Sequence, residues 1–153
     1  SLSRPEEAAM SQFLVAYATT EGQTRKVAET IAERLRASGH RADLVDTATP
    51  AAEVVGLHYD GVFVGGSVHN DRHQTALAHF VRRNRAWLNA MPVGFFSVSL
   101  AAADGDAAGL QHAREAADRF LDHAGLRPAR VRLVAGALKY IQYDFLKRWI
   151  MRT

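Results

Sequence analysis

Hydrophobic and polar positions along this chain switch repeatedly between a two-residue and a three-to-four-residue period. Phe13-Leu14-Val15-Ala16-Tyr17 is a short apolar run of strand formers that ends at a Thr/Gly-rich turn. Behind it, Val27, Ala28, Ile31, Ala32 and Leu35 recur at helical spacing, and Arg25, Lys26, Glu29, Glu33 and Arg36 fill the other face. This predicts a helix from about Thr24 to Ala37, capped at its end by Ser38-Gly39. Residues Arg41–Asp46 alternate imperfectly and read as an edge strand, after which Thr49-Pro50 opens a short helix. Gly61–Gly65 is a compact apolar strand, and Gly65-Gly66-Ser67 opens a loop that runs to His73. The next helix, about Gln74 to Arg85, turns Leu77, Phe80 and Val81 inward.

Pro92 precedes a fourth strand, Val93–Val98, and an Ala/Asp/Gly-rich loop follows from Ser99 to Ala108. A long helix from about Ala107 to Ala124 places Leu110, Ala113, Ala117, Phe120 and Leu121 on one face, and Arg130–Ala135 is the fifth strand. Five strands alternating with helical stretches predict an α/β fold, a doubly wound parallel sheet with helices on both faces. Tyr140–Thr153 is aromatic and basic, with Ile141, Phe145, Trp149 and Ile150 to one side. Two readings stay open for it: a final helix covering the sheet, or an amphipathic segment for a surface or a partner helix.

A length of 153 residues makes one domain, and 48% hydrophobic with 23% charged residues is an ordinary globular composition. Polar residues 1–10 read as an arm or a non-native remainder, with Met10 as a candidate start, and residues 11–153 as the domain. The absence of cysteine removes disulfides, thiolate metal sites and cysteine nucleophiles, and fits a reducing, cytoplasmic setting. No apolar span is long enough to cross a membrane. The net charge of +3, with arginine supplying most of it, suits anionic ligands or an anionic membrane face without choosing between them.

In an open parallel sheet the ligand crevice lies beyond the carboxyl ends of the strands, where the strand order reverses. Thr19–Thr24, Gly65–His73 and Ser97–Gly109 converge there. The first offers hydroxyls, a glycine and the amino end of a helix, which together suit a terminal phosphate. Thr19 and Thr24 hydroxyls and the Glu21–Thr24 amides are its candidate donors, with Glu21 pointing outward. The competing reading is an ordinary turn with Thr24 as N-cap. Neither a nucleoside-triphosphatase P-loop nor G-x-G-x-x-G is present.

The two later loops could hold a flat heterocycle between backbone and apolar contacts, with amides near Ser67 and Ser99 facing it. His69 and His73 flank Asp71 without matching a zinc pattern, so no metal is expected; His69 or Asn70 near a ring is a candidate for influencing substrate protonation or cofactor potential. His40, His58, His79, His112 and His123 read as surface or helix-edge residues. No G-x-S-x-G elbow and no nucleic-acid-binding module occurs, so nucleic acid is not an expected partner.

Thr19-x-Glu21-Gly22-x-Thr24 resembles the phosphate loop of the flavodoxin-like proteins. In particular, Glu21–Ala28, Val64–Ser67, Leu88–Pro92, Phe95–Leu100 and Ala135–Tyr140 resemble the flavodoxin-type, menaquinone-dependent protoporphyrinogen IX dehydrogenase family, in order along the chain. The resemblance implies FMN, strand order 2-1-3-4-5, and oxidation of protoporphyrinogen IX to protoporphyrin IX with electrons passed to a quinone. It assigns Thr19, Thr20, Glu21, Gly22, Gln23 and Thr24 to the phosphate loop. Gly66, Ser67, Val68 and His69 fall to the first ring loop, and Ser97, Val98, Ser99, Leu100 and Ala101 to the second. Arg72, Lys139, Tyr140, Tyr143 and Arg148 become candidates for substrate or membrane approach, with peripheral contact at the inner face of the cell membrane and a homo-oligomer among the expectations. The chain departs from the family at Val68–His73, which lacks an aromatic, and after Leu100, where Asp104 and Asp106 replace basic character. It also stops before the family's last sheet-covering helix. A flavodoxin-type electron carrier or quinone reductase is the alternative within the fold, and a non-redox interaction protein the alternative outside flavin chemistry.

Overall fold

A computed structural model describes residues 10–56, 58–70, 72–99 and 107–135. Strands β1 (Gln12–Tyr17), β2 (Arg41–Asp46), β3 (Gly61–Ser67), β4 (Val93–Ser99) and β5 (Arg130–Ala135) alternate with helices α1 (Gln23–Ala37), α2 (Thr75–Leu88) and α3 (Ala107–Ala124). A 3-10 turn, Pro50–Val54, follows β2. All four strand pairings are parallel, and the sheet order is β2-β1-β3-β4-β5, as the resemblance implies.

The apolar periods place the helices on opposite faces. Val27, Ala28, Ile31, Ala32 and Leu35 of α1 pack with Phe13, Val15, Phe63 and Phe96. Across the sheet, Leu77, Phe80, Val81 and Leu88 of α2 and Ala117, Phe120 and Ala124 of α3 pack on Leu14, Val62, Val64 and Phe95. β1, β3 and β4 are buried on both faces, which is why their sequences run apolar rather than alternating. β2 shows the mixed exposure of an edge strand.

Four local expectations change. The β3 strand does not end at Gly65 but runs through Ser67, and Gly65 sits beside Phe96 in the β3–β4 register. A Cβ on Gly65 would lie 2.1 Å from the Phe96 ring, so this glycine makes room for a neighbour inside a strand rather than starting a turn. α2 continues three residues past Arg85, burying Leu88. Leu110 is 37% exposed, and Ala116 and Ala124 complete the inner face of α3 instead. His40 is half-buried rather than a surface residue: its Nδ1 accepts the Ser11 amide at 3.0 Å, its ring meets Phe13 edge-on, and burial lowers its pKa.

Candidate functional site

The strand order reverses between β1 and β3, so the crevice lies beyond Tyr17 and Ser67. Its first wall is the turn into α1. Gly22 caps that helix in the left-handed region (φ 88°), and its amide donates to Thr19 Oγ1 at 2.8 Å. The first intrahelical bond is Lys26 N–H to Gly22 C=O at 3.3 Å, which leaves the Gln23, Thr24 and Arg25 amides at the open end of the helix. There is no acidic residue in the first turn, and Glu21 is exposed.

Thr24 is not the N-cap. It lies inside the first turn, fully buried, and its Oγ1 has no hydrogen-bond partner. A buried hydroxyl without a partner costs stability, so its presence next to three free amides marks a place shaped for an anion. Thr19 adds to the set: its oxygen accepts from Gly22 and its own O–H remains free to donate. These residues fit the terminal phosphate of FMN.

The second wall is held by a residue that sequence reasoning passed over. Gln74 Nε2 donates to Thr20 Oγ1 at 2.9 Å and to Ser67 Oγ at 2.6 Å, and Gln74 Oε1 accepts the Ser67 amide at 3.1 Å. One side chain just ahead of α2 thus ties the β1 turn to the end of β3. The Ser67 amide is consequently not available to a ring. Those of Val68 and His69 are also engaged, with Val98 C=O at 2.9 Å and Arg72 C=O at 2.8 Å. Gly66 is buried, and a Cβ there would meet Leu77 at 2.6 Å and Gln74 at 2.9 Å, so its missing side chain serves the packing of α2.

His69 and Arg72 close a tight turn by exchanging two backbone hydrogen bonds, with Asn70 at φ 50°. His69 is exposed, whereas His73 turns inward, so the two histidines part. His73 Nε2 lies 2.8 Å from Ser97 Oγ, and its ring stands 5.0 Å from that of Phe120 and 5.7 Å from that of Phe95. Burial, assisted by the Arg119 charge, pushes the His73 pKa down to about 4. His73 is therefore neutral at pH 7, and its Nδ1 is buried without a partner.

Ser97 and Val98 are buried within β4 as the strand reading expects, β4 runs one residue further to take in Ser99 from the expected loop, and Val98 faces the α1 side of the sheet. Leu100, Ala101, Lys139, Tyr140, Tyr143 and Arg148 lie outside the described residues. Arg72 is exposed beside a cleft of about 610 Å³ between α2 and α3. Another cleft, of about 710 Å³, surrounds Asn89 and Gly125 at the other end of those helices, away from the strands' carboxyl ends. Among the described residues no three His, Asp or Glu side chains gather as metal ligands, and no helix is long and apolar enough to cross a membrane.

Neither the Gln74–Thr20 contact nor the His73–Ser97 pair leaves a local signal, because the partners lie 54 and 24 residues apart in sequence.

Residues 14–153 match the flavodoxin domain family. The chain is 32% identical over 139 residues to protoporphyrinogen IX dehydrogenase (quinone) of Escherichia coli, covering 91% of this chain and 76% of that one. The protein of the same name from Leishmania major is 31% identical over 140 residues, covering 91% of this chain and 60% of its own. Among solved structures, oxidised flavodoxin 1 from Bacillus cereus superposes with a TM-score of 0.60 at 17% identity, covering 93% of this chain and 94% of that one. The chain belongs to the flavodoxin domain family, a family of FMN flavoproteins, and within it to the oxidoreductases related to protoporphyrinogen IX dehydrogenase (quinone).

Proposed function

We propose that this protein oxidises protoporphyrinogen IX to protoporphyrin IX with FMN as cofactor and a quinone as electron acceptor. The observation that carries the FMN half is the partnerless Thr24 hydroxyl, buried among the free amides at the start of α1. The substrate half rests on the 32% identity to a relative of that name across most of both chains.

FMN supplies the redox chemistry, accepting electrons from a reduced donor at its ring. The chain's part is to bind and orient. Thr19, Thr24 and the amides of Gln23, Thr24 and Arg25 hold the phosphate. Gln74 fixes the spacing between that turn and the end of β3, so that the cofactor's two ends keep a set separation. The ring is expected against the 68–72 turn and the segment after Ser99. His73 is neutral and hydrogen-bonded to Ser97, so it braces the α2 entrance rather than carrying a proton at neutral pH. Peripheral membrane contact and self-association remain part of the reading, through the aromatic-basic segment after Gly136.

The test is an anaerobic turnover assay. FMN-loaded protein is mixed with protoporphyrinogen IX and a menaquinone analogue, and porphyrin fluorescence is followed. Quinone-dependent porphyrin formation above the enzyme-free rate supports the proposal. FMN retention with no porphyrin formed, but with electron transfer to a protein partner, replaces it by the carrier reading.

A further inference from the structure

The cleft between α2 and α3 shares Arg72, His73 and Gln74 with the crevice and continues away from it over Phe120. Its volume of about 610 Å³ falls within the range of small-molecule sites, roughly 300–1,000 Å³. Its lining is unbalanced in charge: Arg72, Arg82 and Arg119 face it together with a single carboxylate, Asp122. Arg72 and Arg82 are exposed, and neither makes an ion pair among the described residues. The floor is apolar and flat. Phe120 stacks on Phe95 with ring centres 5.3 Å apart and planes 11° apart, and Ala78 and Ala116 leave space above it. One wall is the first turn of α2, where the Gln74 side chain is committed elsewhere and the Thr75 and Ala76 amides precede the first intrahelical bond, from Leu77 N–H.

An apolar floor, unpaired guanidinium groups and a helix amino end suit one kind of ligand: an apolar ring system that carries carboxylates. We infer that the α2–α3 cleft is where this protein holds its substrate's acid side chains, with Arg72 and Arg82 on the carboxylates and Phe120 under the ring edge. The inference rests on the tetrapyrrole reading above and assigns that substrate a place and an orientation. Because the cleft opens from the crevice at Arg72, acids held there leave the rest of the ring directed toward the cofactor. Arg82 enters as a specificity residue that no motif in the chain marks.

The test uses FMN-loaded full-length protein, with protoporphyrin IX and its dimethyl ester as probes and the porphyrin absorption band as readout. Arg82→Glu and Arg72→Glu are each expected to weaken binding of the free acid about tenfold, and Arg82→Glu, which lies on α2 outside the 68–72 turn, is expected to leave FMN content unchanged. The ester is expected to bind weakly to wild type and to be insensitive to both substitutions. Arg130→Glu makes the same charge change at the start of β5, the opposite end of the sheet, and is expected to leave binding alone. Free-acid binding that survives both cleft substitutions, or that falls equally in Arg130→Glu, overturns the cleft assignment and leaves the tetrapyrrole reading standing. An FMN-loaded wild type that binds neither probe overturns both.

Discussion

His73 Nε2 and Ser97 Oγ lie 2.8 Å apart, joining the entrance of α2 to the centre of β4. Ser97 is fully buried, so this contact satisfies a hydroxyl that has no access to water. It also fixes the histidine ring against Phe95 and Phe120, at the inner end of the cleft.

That burial makes stability depend on pH in a defined direction. His73 has a folded pKa of about 4, below the ordinary histidine value of 6.5, so between these values the unfolded chain binds more protons than the folded one. Its contribution is complete above pH 6.5 and is lost as pH falls toward 4, by about 3 kcal/mol in total. Urea midpoints for the apoprotein at pH 7 and pH 4.5 measure this. His73→Phe, although less stable at pH 7 because Ser97 loses its partner, is expected to show a shallower fall.

Gln74→Ala removes three hydrogen bonds that span the β1 turn and the end of β3. A loss of about 1–2 kcal/mol is expected from half-buried bonds of this kind. FMN affinity is expected to fall as well, because the separation of the crevice walls is no longer fixed. Calorimetric titration with FMN separates the two effects.

Much of the architecture was legible from periodicity, since each helix buries one stripe and each central strand is apolar throughout. The misread places are those where a distant neighbour decides. Gly65 and Gly66 look like turn residues along the chain, yet they belong to β3 because Phe96 and Leu77 occupy the space of their side chains. Leu110 fits the helical period of α3, but it lies in the first turn, outside the packed stretch that starts at Ala113. In the site, the Thr19–Thr24 turn was readable because its donors are local. Gln74, His73 and Arg82 were not, because their roles arise only when β1, β3, β4, α2 and α3 come together.

The Gly65–Phe96 fit predicts strong coupling. Gly65→Ala drives a methyl group into a fully buried ring and is expected to cost about 1–3 kcal/mol or more. Phe96→Leu relieves the clash, so the double variant should be more stable than the sum of the single losses implies. Thermal unfolding of the four proteins in the cycle provides the comparison.

Gly22 and Gly39 both hold left-handed backbone, at φ 88° and 91°, and nothing lies within 4 Å of a Cβ built on either. Alanine at each position is expected to cost about 1–2 kcal/mol through backbone strain alone. Only Gly22→Ala should weaken FMN binding, because Gly39 ends α1 on the far side of the helix from the phosphate turn. Equal effects on FMN would separate the cofactor from this turn.

The most direct measurement compares Thr24→Val with wild type, both without cofactor and during FMN titration. Valine keeps the shape of threonine and removes the partnerless buried hydroxyl. The apoprotein is therefore expected to be as stable as wild type or more so, while FMN affinity falls roughly tenfold to a hundredfold through the loss of a hydrogen bond to a charged group. Unchanged FMN affinity, or an apoprotein clearly less stable than wild type, would contradict the assignment of the phosphate to the start of α1.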